Sequence, residues 1–248
     1  MQESSTPQPT KTMENHSNTS PPKGTAIVQR TIEREVAKAE GGKELSRRID
    51  YDHALLYLQS QGIKYFGSHF KIHEADIPLI KKLLCYFLKD ETTASQLGVN
   101  LNKGILLTGP VGCGKTSLMF LMRFFLPFEN RYILKSSRDI SFEFIKDGYP
   151  IISKYSHQSF KNNQSKTYCF DDLGTENSLK HFGNECNTMA EILLSRYDLF
   201  INRKLLTHIT TNLSASEIES LYGNRVRSRM REKFNLVAFD KETKDKRK

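Results

Sequence analysis

One stretch of the chain constrains its fold more than any other, the run Gly-Pro-Val-Gly-Cys-Gly-Lys-Thr at positions 109–116. It fits the pattern GxxxxGK[ST], follows directly on an apolar run at 105–108 and opens a stretch with helical periodicity. In that order, the glycines let backbone N–H groups surround phosphate oxygens, and the helix N-terminus adds positive potential. The sequence therefore predicts a phosphate-binding loop in an α/β fold.

The predicted ligands of the nucleotide are the residues of this loop and of the helical turn after it. They are Gly109, Pro110, Val111, Gly112, Cys113, Gly114, Lys115, Thr116 and Ser117. The Lys115 amine has the length to reach the β and γ oxygens, and the Thr116 hydroxyl is placed for Mg²⁺. We expect ATP and Mg²⁺ to be the cofactors of this chain.

An enzyme of this kind also needs an acidic residue at the end of a neighbouring strand, to hold the water shell of Mg²⁺. Asp171 and Asp172 directly follow an apolar run at 167–170. We expect Asp171 to join Thr116 on the metal side, and Asp172 to orient and deprotonate the attacking water. A plain Asp-Asp-Leu-Gly turn is the alternative, and the phosphate loop upstream favours the catalytic interpretation.

A third polar position, Asn212, follows the predicted strand at 205–210. A strand-terminal amide can hold the attacking water or contact the γ-phosphate. Asparagine also caps helices and ends strands for purely local reasons, so both interpretations remain open at this point.

The first part of the chain has a different character. Residues 1–24 are mostly Ser, Thr, Pro, Gln and Asn, which predicts a disordered tail. Helical periodicity follows at 31–45, at 51–61, where Gly62 is predicted to end the helix, and at 74–88. The last of these has a broad apolar face, for which we expect the following sheet as partner, with a groove on another protein as the alternative.

Beyond Gly98, short apolar runs alternate with helical segments. The predicted strands are residues 105–108, 132–135, 167–170, 205–210 and 236–239. The predicted helices are residues 115–126, 138–146, 187–201, 215–222 and 225–233. Such alternation predicts a mostly parallel five-stranded sheet covered by helices on both faces.

Several motifs together resemble the DnaC/IstB branch of AAA+ ATPases, which includes replicative-helicase loaders and helper ATPases of insertion-sequence transposition. They are the phosphate loop, Asp-Asp-Leu-Gly at 171–174, Ser-Arg-Tyr-Asp at 195–198, Thr-Thr-Asn-Leu-Ser at 210–214 and Tyr-Gly-Asn-Arg-Val-Arg-Ser-Arg-Met at 222–230. The resemblance implies a P-loop AAA+ core at 99–240 and a helical partner-binding region at 25–98, and the charge pattern adds a basic tail at 241–248. It also implies that the usual C-terminal lid domain, and the nucleotide contact of its second sensor arginine, are absent.

The resemblance assigns roles to three further residues. Asn212 would be the sensor-1 residue, and Arg229, in Ser-Arg-Met, would be the arginine finger that completes the site of a neighbouring subunit, with Arg225 as the second candidate. The alternative for both arginines is a solvated basic face, since Arg225, Arg229 and Lys233 fall at helical spacing. Asp172 stands where AAA+ proteins usually carry Glu, which implies slow hydrolysis.

The positive charge of the chain is concentrated at its C-terminal end. Residues 201–248 hold 12 Lys and Arg against 6 Asp and Glu, so +6 of the formal net charge of +9 lies there. The resemblance implies DNA contact at a second helix expected within 138–166, through Lys154, Lys161, Lys166 and Tyr155, and the net charge supports this only weakly. The simpler interpretation makes Phe142, Phe144, Ile145, Ile151 and Ile152 core residues and leaves the lysines solvated.

The cysteines and the hydropathy pattern predict a cytoplasmic protein. Cys85, Cys113, Cys169 and Cys186 form no CxxC pair and have no histidines at zinc spacing, which predicts free thiols. No run approaches the length of a membrane span, and the first thirty residues lack an apolar signal segment. Alkylation of Cys113 is expected to block nucleotide binding.

These features predict a Mg²⁺-dependent AAA+ ATPase that assembles as a homo-oligomer on single-stranded or duplex DNA and uses ATP as a switch. Its protein partner would be a replicative helicase or a transposase. Two alternatives remain: a nucleotide-binding regulator or scaffold that barely hydrolyses ATP, and a P-loop kinase of small molecules. The Asp-Asp, Thr-Thr-Asn and Ser-Arg-Met motifs argue against the kinase.

Overall fold

The structure is a computed structural model that describes residues 33–34, 48–161, 164–176, 179–181 and 184–247. The tail predicted at 1–24 and most of the helix predicted at 31–45 lie outside these ranges. Residues 33 and 34 are described, and there the helix prediction is wrong, because they form a strand. Glu33 pairs with Ile49 and Arg34 with Arg48 in an antiparallel ladder. A charged helix without a packing face is marginal on its own, and this pairing satisfies backbone groups instead.

The described residues form eleven strands. They are β1 (Glu33–Arg34), β2 (Arg48–Ile49), β3 (Gly104–Thr108), β4 (Ile133–Ser136), β5 (Phe160–Lys161), β6 (Gln164–Ser165), β7 (Tyr168–Leu173), β8 (Leu179–His181), β9 (Asn184–Cys186), β10 (Thr207–Thr211) and β11 (Phe234–Ala238). The short antiparallel pairs β5–β6 and β8–β9 were not predicted.

Eight α-helices accompany these strands in the described ranges. They are α1 (Tyr51–Phe66), α2 (Ile77–Phe87), α3 (Glu91–Gln96), α4 (Lys115–Met122), α5 (Ser137–Asp147), α6 (Pro150–Tyr155), α7 (Thr188–Arg203) and α8 (Ala215–Lys233). Gly223 interrupts α8 with a non-helical backbone, which agrees with the two helices predicted there. None of the helices formed by the described residues is long and apolar enough to cross a bilayer.

The central sheet has five parallel strands in the order β11-β3-β10-β7-β4. This confirms the predicted five-stranded parallel sheet flanked by helices. One detail differs, because β10 lies between β3 and β7, so the strand that carries Asp171 is not adjacent to the strand that leads into the phosphate loop. Sheet order depends on how each crossover returns to the sheet, which periodicity does not reveal.

The N-terminal helices share a hydrophobic core with one face of the sheet. Leu58 of α1, Leu83 of α2, Ile105 of β3 and Met119 of α4 are fully buried in one cluster. A second cluster covers the opposite face and includes residues of α5, α7 and α8. The apolar face predicted at 74–88 therefore packs inside the chain, as expected.

Gly62 does not end α1, which continues to Phe66 and is capped by Gly67. A Cβ added at Gly62 would lie 2.1 Å from the Phe70 ring. The glycine therefore permits close approach of an aromatic ring in mid-helix, and the prediction of a helix end was wrong because glycine serves packing as well as termination.

The predicted second helix between β4 and β7 is present as α6. Phe144 and Ile151 are buried as expected, whereas Phe142 and Ile145 are 53% and 44% exposed, so the core prediction was wrong for these two. Phe142 lies on the outer side of α5, where the Arg138 guanidinium covers its ring at 5.5 Å from the centroid.

The Ser-Arg-Tyr-Asp motif provides a buried structural cation. Arg196 of α7 is fully buried, with Nε donating to Thr207 Oγ1 at 2.8 Å and the Nη atoms donating to the carbonyls of Tyr155, Lys166 and Leu206 at 2.9 to 3.1 Å. Burial lowers the pKa of Arg196 to about 9. One guanidinium therefore ties α7 to α6, to the start of β10 and to the segment before β7.

Candidate functional site

The phosphate loop leaves the buried strand β3 and ends where α4 begins at Lys115. Gly112 and Gly114 adopt positive φ angles of 79° and 97°, in the region that favours glycine. The loop therefore turns back on itself and presents backbone N–H groups together with those of the first turn of α4, which have no partner within the helix. This is the predicted loop geometry.

Lys115 is folded against its own loop. Its Nζ donates to the carbonyl oxygens of Gly109 and Pro110, each at 2.9 Å, and the residue is 5% exposed. The ammonium group is thus held at the loop and close to any phosphate that binds there, because the backbone contacts restrict a side chain that is otherwise flexible.

Thr116, near the start of α4, meets Asp171 of β7, although β10 lies between β7 and the strand β3 that leads into the phosphate loop. Thr116 Oγ1 lies 3.0 Å from both carboxylate oxygens of Asp171. Burial raises the pKa of Asp171 and the nearby Asp172 carboxylate adds to the rise, whereas hydrogen bonds from Thr210 and Thr116 and the Lys115 charge oppose it. A hydroxyl and a carboxylate are oxygen donors of the type that Mg²⁺ prefers, so these residues fit the implied metal.

Thr210 is a residue of the site that the sequence analysis missed. Its buried hydroxyl donates to Asp171 Oδ1 at 2.6 Å and accepts from the backbone N–H of Asp172 at 2.9 Å. Asp172 has a positive φ of 51°, which is unusual for a residue other than glycine. The repeated threonine before Asn212 was the available signal, because a hydroxyl inside an apolar strand must find a partner.

Two adjoining cavities surround the loop. One of about 240 Å³ is lined by Lys115, Thr116, Asp172, Asn212 and Arg247. The structure thus brings together the residues predicted for the phosphate and water side of the site. A second cavity of about 300 Å³ is lined by Gly112, Cys113 and the aromatic rings of Phe66, Phe70 and Phe239.

The two candidate finger arginines lie on α8, beyond its kink at Gly223. Within the part of the chain that the structure describes, neither lines the phosphate cavity. Arg229 stacks over the Tyr197 ring at 4.7 Å and lies 4.0 Å from an Asp198 carboxylate oxygen, whereas Arg225 is exposed. Within those same residues Arg225 has no hydrogen bond or ion pair.

The alternative of a solvated basic face on α8 does not hold for Lys233. This residue is 2% exposed, and its Nζ has no hydrogen-bond partner in the described ranges. Burial lowers the pKa of Lys233 well below the ordinary lysine value. Lys233 therefore belongs to the core at the end of α8.

The proposed DNA contact within 138–166 is only partly compatible with the structure. Tyr155 is 4% exposed and its hydroxyl donates to the Glu143 carboxylate, so its ring is not available to stack on a base. Lys154 is exposed and pairs with Glu143 at 2.8 Å. The side chain of Lys161 lies outside the described residues.

The four cysteines are free thiols, as predicted. Cys113 is 1% exposed within the loop, and burial raises the pKa of its thiol despite the opposing charges of Lys115 and Lys246. Its reactivity toward alkylating reagents is therefore expected to be low.

The core has the P-loop NTPase fold. Among solved structures, the DnaC helicase loader is similar, at 18% identity over 70% of this chain and 95% of that chain, with a TM-score of 0.49. DnaI is 19% identical over 69% of this chain and 88% of that chain, with a TM-score of 0.44. AMPPCP-bound DnaA from Aquifex aeolicus is 19% identical over 69% of this chain and 48% of that chain, with a TM-score of 0.42.

All three identities lie below 20% and all three TM-scores below 0.5, so these similarities say nothing about the function of this chain. No protein-family model matches the chain, and no curated protein matches its sequence.

Proposed function

We propose that this chain is a Mg²⁺-dependent ATPase of the DnaC-like AAA+ type, which assembles on DNA and uses ATP as a switch. The observation that carries the proposal is the group formed by Lys115, Thr116 and Asp171 at the phosphate loop, with Asp172 and Asn212 on the same cavity. Cation, hydroxyl, paired carboxylates and amide are the groups that transfer of a γ-phosphoryl to water requires.

Each side chain has a distinct task in this proposal. The loop N–H groups and Lys115 would bind the phosphates, and Thr116 and Asp171 would hold Mg²⁺, which when bound would neutralise phosphate charge. Asp172 accepts a proton from the attacking water, and Asn212 donates a hydrogen bond to that water or to the γ-phosphate. The second cavity, with its aromatic walls, has the space and the apolar character to hold the adenine base of ATP.

The assembly side of the proposal rests on α8. An arginine of this helix, Arg229 or Arg225, would reach the γ-phosphate of a neighbouring copy, so that hydrolysis depends on assembly. Because the Asp172 carboxylate is one methylene shorter than the usual Glu, we expect turnover to be slow without DNA or assembly. The protein partner would be a replicative helicase or a transposase, bound through the region at 25–98.

Steady-state ATP hydrolysis, measured with and without single-stranded DNA, tests this proposal. We expect wild type to hydrolyse ATP only with Mg²⁺ and faster on DNA, Lys115→Ala to lose binding, and Asp172→Ala to bind ATP without hydrolysing it. Arg203→Ala is the matched surface control, because Arg203 is exposed at the end of α7 and far from the loop in the sequence.

Three results would each contradict a different part of the proposal. Binding without turnover in wild type, with or without DNA, would favour the regulator or scaffold. Turnover that requires a small-molecule acceptor would favour the kinase. Hydrolysis that survives Lys115→Ala would place the reaction elsewhere on the chain.

A further inference from the structure

The chain after β11 does not extend into solvent but folds back over the phosphate loop. Phe239 continues the pairing with β3, its N–H donating to the Thr108 carbonyl at 2.8 Å, and residues 240–243 make a turn. The N–H of Lys246 then donates to the Gly112 carbonyl at 3.0 Å. The segment 240–247, which we call the tail strap, is therefore joined to the loop by a backbone hydrogen bond.

Side chains also hold the tail strap against the N-terminal helices, at Asp76 just before α2. Lys246 Nζ lies 2.5 Å from Asp76 Oδ2, and both side chains are largely buried, at 23% and 9% exposed. The same ammonium lies 4.9 Å from the centroid of the Phe239 ring. This partly buried ion pair holds its geometry more firmly than a solvent-exposed pair would, because fewer waters compete for it.

Gly112 contributes to the same contact. A Cβ added at Gly112 would lie 2.1 to 2.4 Å from the carboxylate atoms of Asp245. The missing side chain therefore makes room for the tail strap, in addition to permitting the positive φ angle of the loop. Asp245 in turn accepts from Arg247, with Nε at 3.2 Å and the backbone N–H at 2.9 Å.

These contacts place the guanidinium group of Arg247 at the phosphate loop. Arg247 lines the cavity that contains Lys115, Thr116 and Asn212, and it also lines the adjoining cavity. Its side chain is 65% exposed and so has room to move toward a ligand. A polyphosphate carries more negative charge than the single Asp245 carboxylate, and a guanidinium binds phosphate through two parallel N–H donors.

We propose that Arg247 is a phosphate-binding residue of the nucleotide site, positioned by the Lys246–Asp76 ion pair. The proposal rests on the nucleotide binding proposed above. On this view the tail strap occupies a functional position, whereas only a basic tail at 241–248, without a role, was predicted there. Asp76 directly precedes α2, so the strap also joins the N-terminal helices to the loop.

Equilibrium binding of a fluorescent ATP analogue with Mg²⁺, followed by anisotropy on the full chain, tests the proposal. We expect Arg247→Ala to weaken binding on the order of tenfold, as loss of a hydrogen-bonded charge does, and Arg247→Lys to recover part of the loss. Lys246→Ala should give a smaller loss, because Arg247 remains but is held less firmly. Lys244→Ala removes the same charge from an exposed position of the strap and should bind like wild type.

The outcomes separate this inference from the proposed function. If wild type binds no nucleotide, or Lys115→Ala binds as well as wild type, nucleotide binding at the loop fails and the inference fails with it. If wild type binds but Arg247→Ala binds equally well, only the inference is overturned. If Lys244→Ala and Arg247→Ala lost the same affinity for nucleotide, the effect would come from the net charge of the strap and not from Arg247 itself. If Arg247→Ala bound nucleotide more tightly than wild type, the strap would compete with nucleotide. Either result overturns the inference.

Discussion

The hydroxyl of Thr210 lies 2.6 Å from Oδ1 of Asp171 and donates a hydrogen bond to it. Thr210 Oγ1 also accepts the N–H of Asp172, so one buried hydroxyl contacts both acidic residues that follow the apolar part of β7. The two carboxylates are expected to have different tasks, metal binding and activation of water. The Thr210 hydroxyl fixes how the Asp171 carboxylate lies relative to the Asp172 backbone. We therefore predict that Thr210 is a positioning residue of the site.

Replacing Thr210 with Val keeps the shape of the side chain and removes the shared hydroxyl. We expect the affinity for Mg²⁺ in the presence of nucleotide to fall about 10-fold or more, because residues that orient metal ligands typically have effects of this size. The N–H of Asp172 loses its partner, so the free energy of unfolding should also fall by about 1–3 kcal/mol. Titration of Mg²⁺ against nucleotide binding and urea denaturation measure the two effects.

Thr211→Val is the matched control for this experiment. Thr211 is buried next in the same strand, and its hydroxyl donates to the Leu173 carbonyl at 2.7 Å and accepts from the N–H of Leu213 at 3.1 Å. Its loss should lower stability to a similar extent and leave the Mg²⁺ titration unchanged. Equal effects of the two substitutions on Mg²⁺ affinity would contradict a positioning role for Thr210.

The pH dependence of the site follows from Asp171. Burial raises the pKa of this carboxyl above its ordinary value, so the fold disfavours the ionised form that Mg²⁺ requires. The penalty is present at neutral pH and is relieved as the pH falls through the raised pKa. Without metal, Asp171→Asn should therefore melt at or above wild type at pH 7, and this advantage should disappear toward about pH 4.

Melting curves of both proteins across that pH range, recorded without Mg²⁺, check this expectation. Asp171→Asn should at the same time lose the Mg²⁺-dependent part of nucleotide binding at pH 7. The prediction would be contradicted if Asp171→Asn melted well below wild type at pH 7 and approached it on acidification. In that case the ionised Asp171 carboxylate would stabilise the fold.

The parts of the structure that were predictable are those encoded locally. Each of the five predicted core strands overlaps an observed strand, and α4 begins at Lys115 as expected, because apolar runs and glycine-rich turns act over a few residues. Contacts across long stretches of chain were not predictable. Lys246 and Asp76 are 170 residues apart, and their meeting depends on the path of the whole chain.

The failed predictions at Gly62 and Thr210 have a similar cause. Gly62 was interpreted through its effect on the backbone, whereas the Phe70 ring that approaches it belongs to the segment after the helix. Thr210 looks like any strand threonine until β7 and β10 are paired. The type of each residue was visible in the sequence, but its partner was not.

Arg196 provides a test of the core that is independent of nucleotide. Arg196→Leu keeps an apolar stem but leaves the carbonyls of Tyr155, Lys166 and Leu206 without their donor. We expect the free energy of unfolding to fall by at least about 3 kcal/mol, because each of the three carbonyls that loses its buried donor costs about 1–3 kcal/mol. Urea denaturation gives the value.

Arg196→Lys should recover little of this stability, because an ammonium cannot reproduce the planar fork of donors. Arg203→Leu on the same helix is the control, since Arg203 is exposed and its guanidinium lies 5.8 Å from the centroid of the Phe160 ring. Similar losses in Arg203→Leu and Arg196→Leu would contradict a special role for the buried network.

The proposed arginine finger can be tested by mixing variants that are each expected to be inactive for a different reason. A Lys115→Ala copy has an inactive phosphate loop but keeps both arginines of α8. An Arg229→Ala or Arg225→Ala copy has an intact phosphate loop but lacks one of these arginines, so it depends on its neighbour for the finger. If the finger acts in trans, an equal mixture should recover about a quarter of the wild-type rate, because random mixing places an intact loop beside an intact arginine at that fraction of interfaces.

The two arginines are expected to differ in this assay because their surroundings differ. Arg225 is exposed and would reach a neighbouring copy without losing a hydrogen bond or ion pair to the described residues, whereas Arg229 would first have to leave the Tyr197 ring and the Asp198 carboxylate. Arg227→Ala is the control, since Arg227 is paired with Glu219 on the same helix, and it should hydrolyse ATP like wild type. Recovery with only one arginine variant identifies that residue, and recovery with neither contradicts a finger on α8.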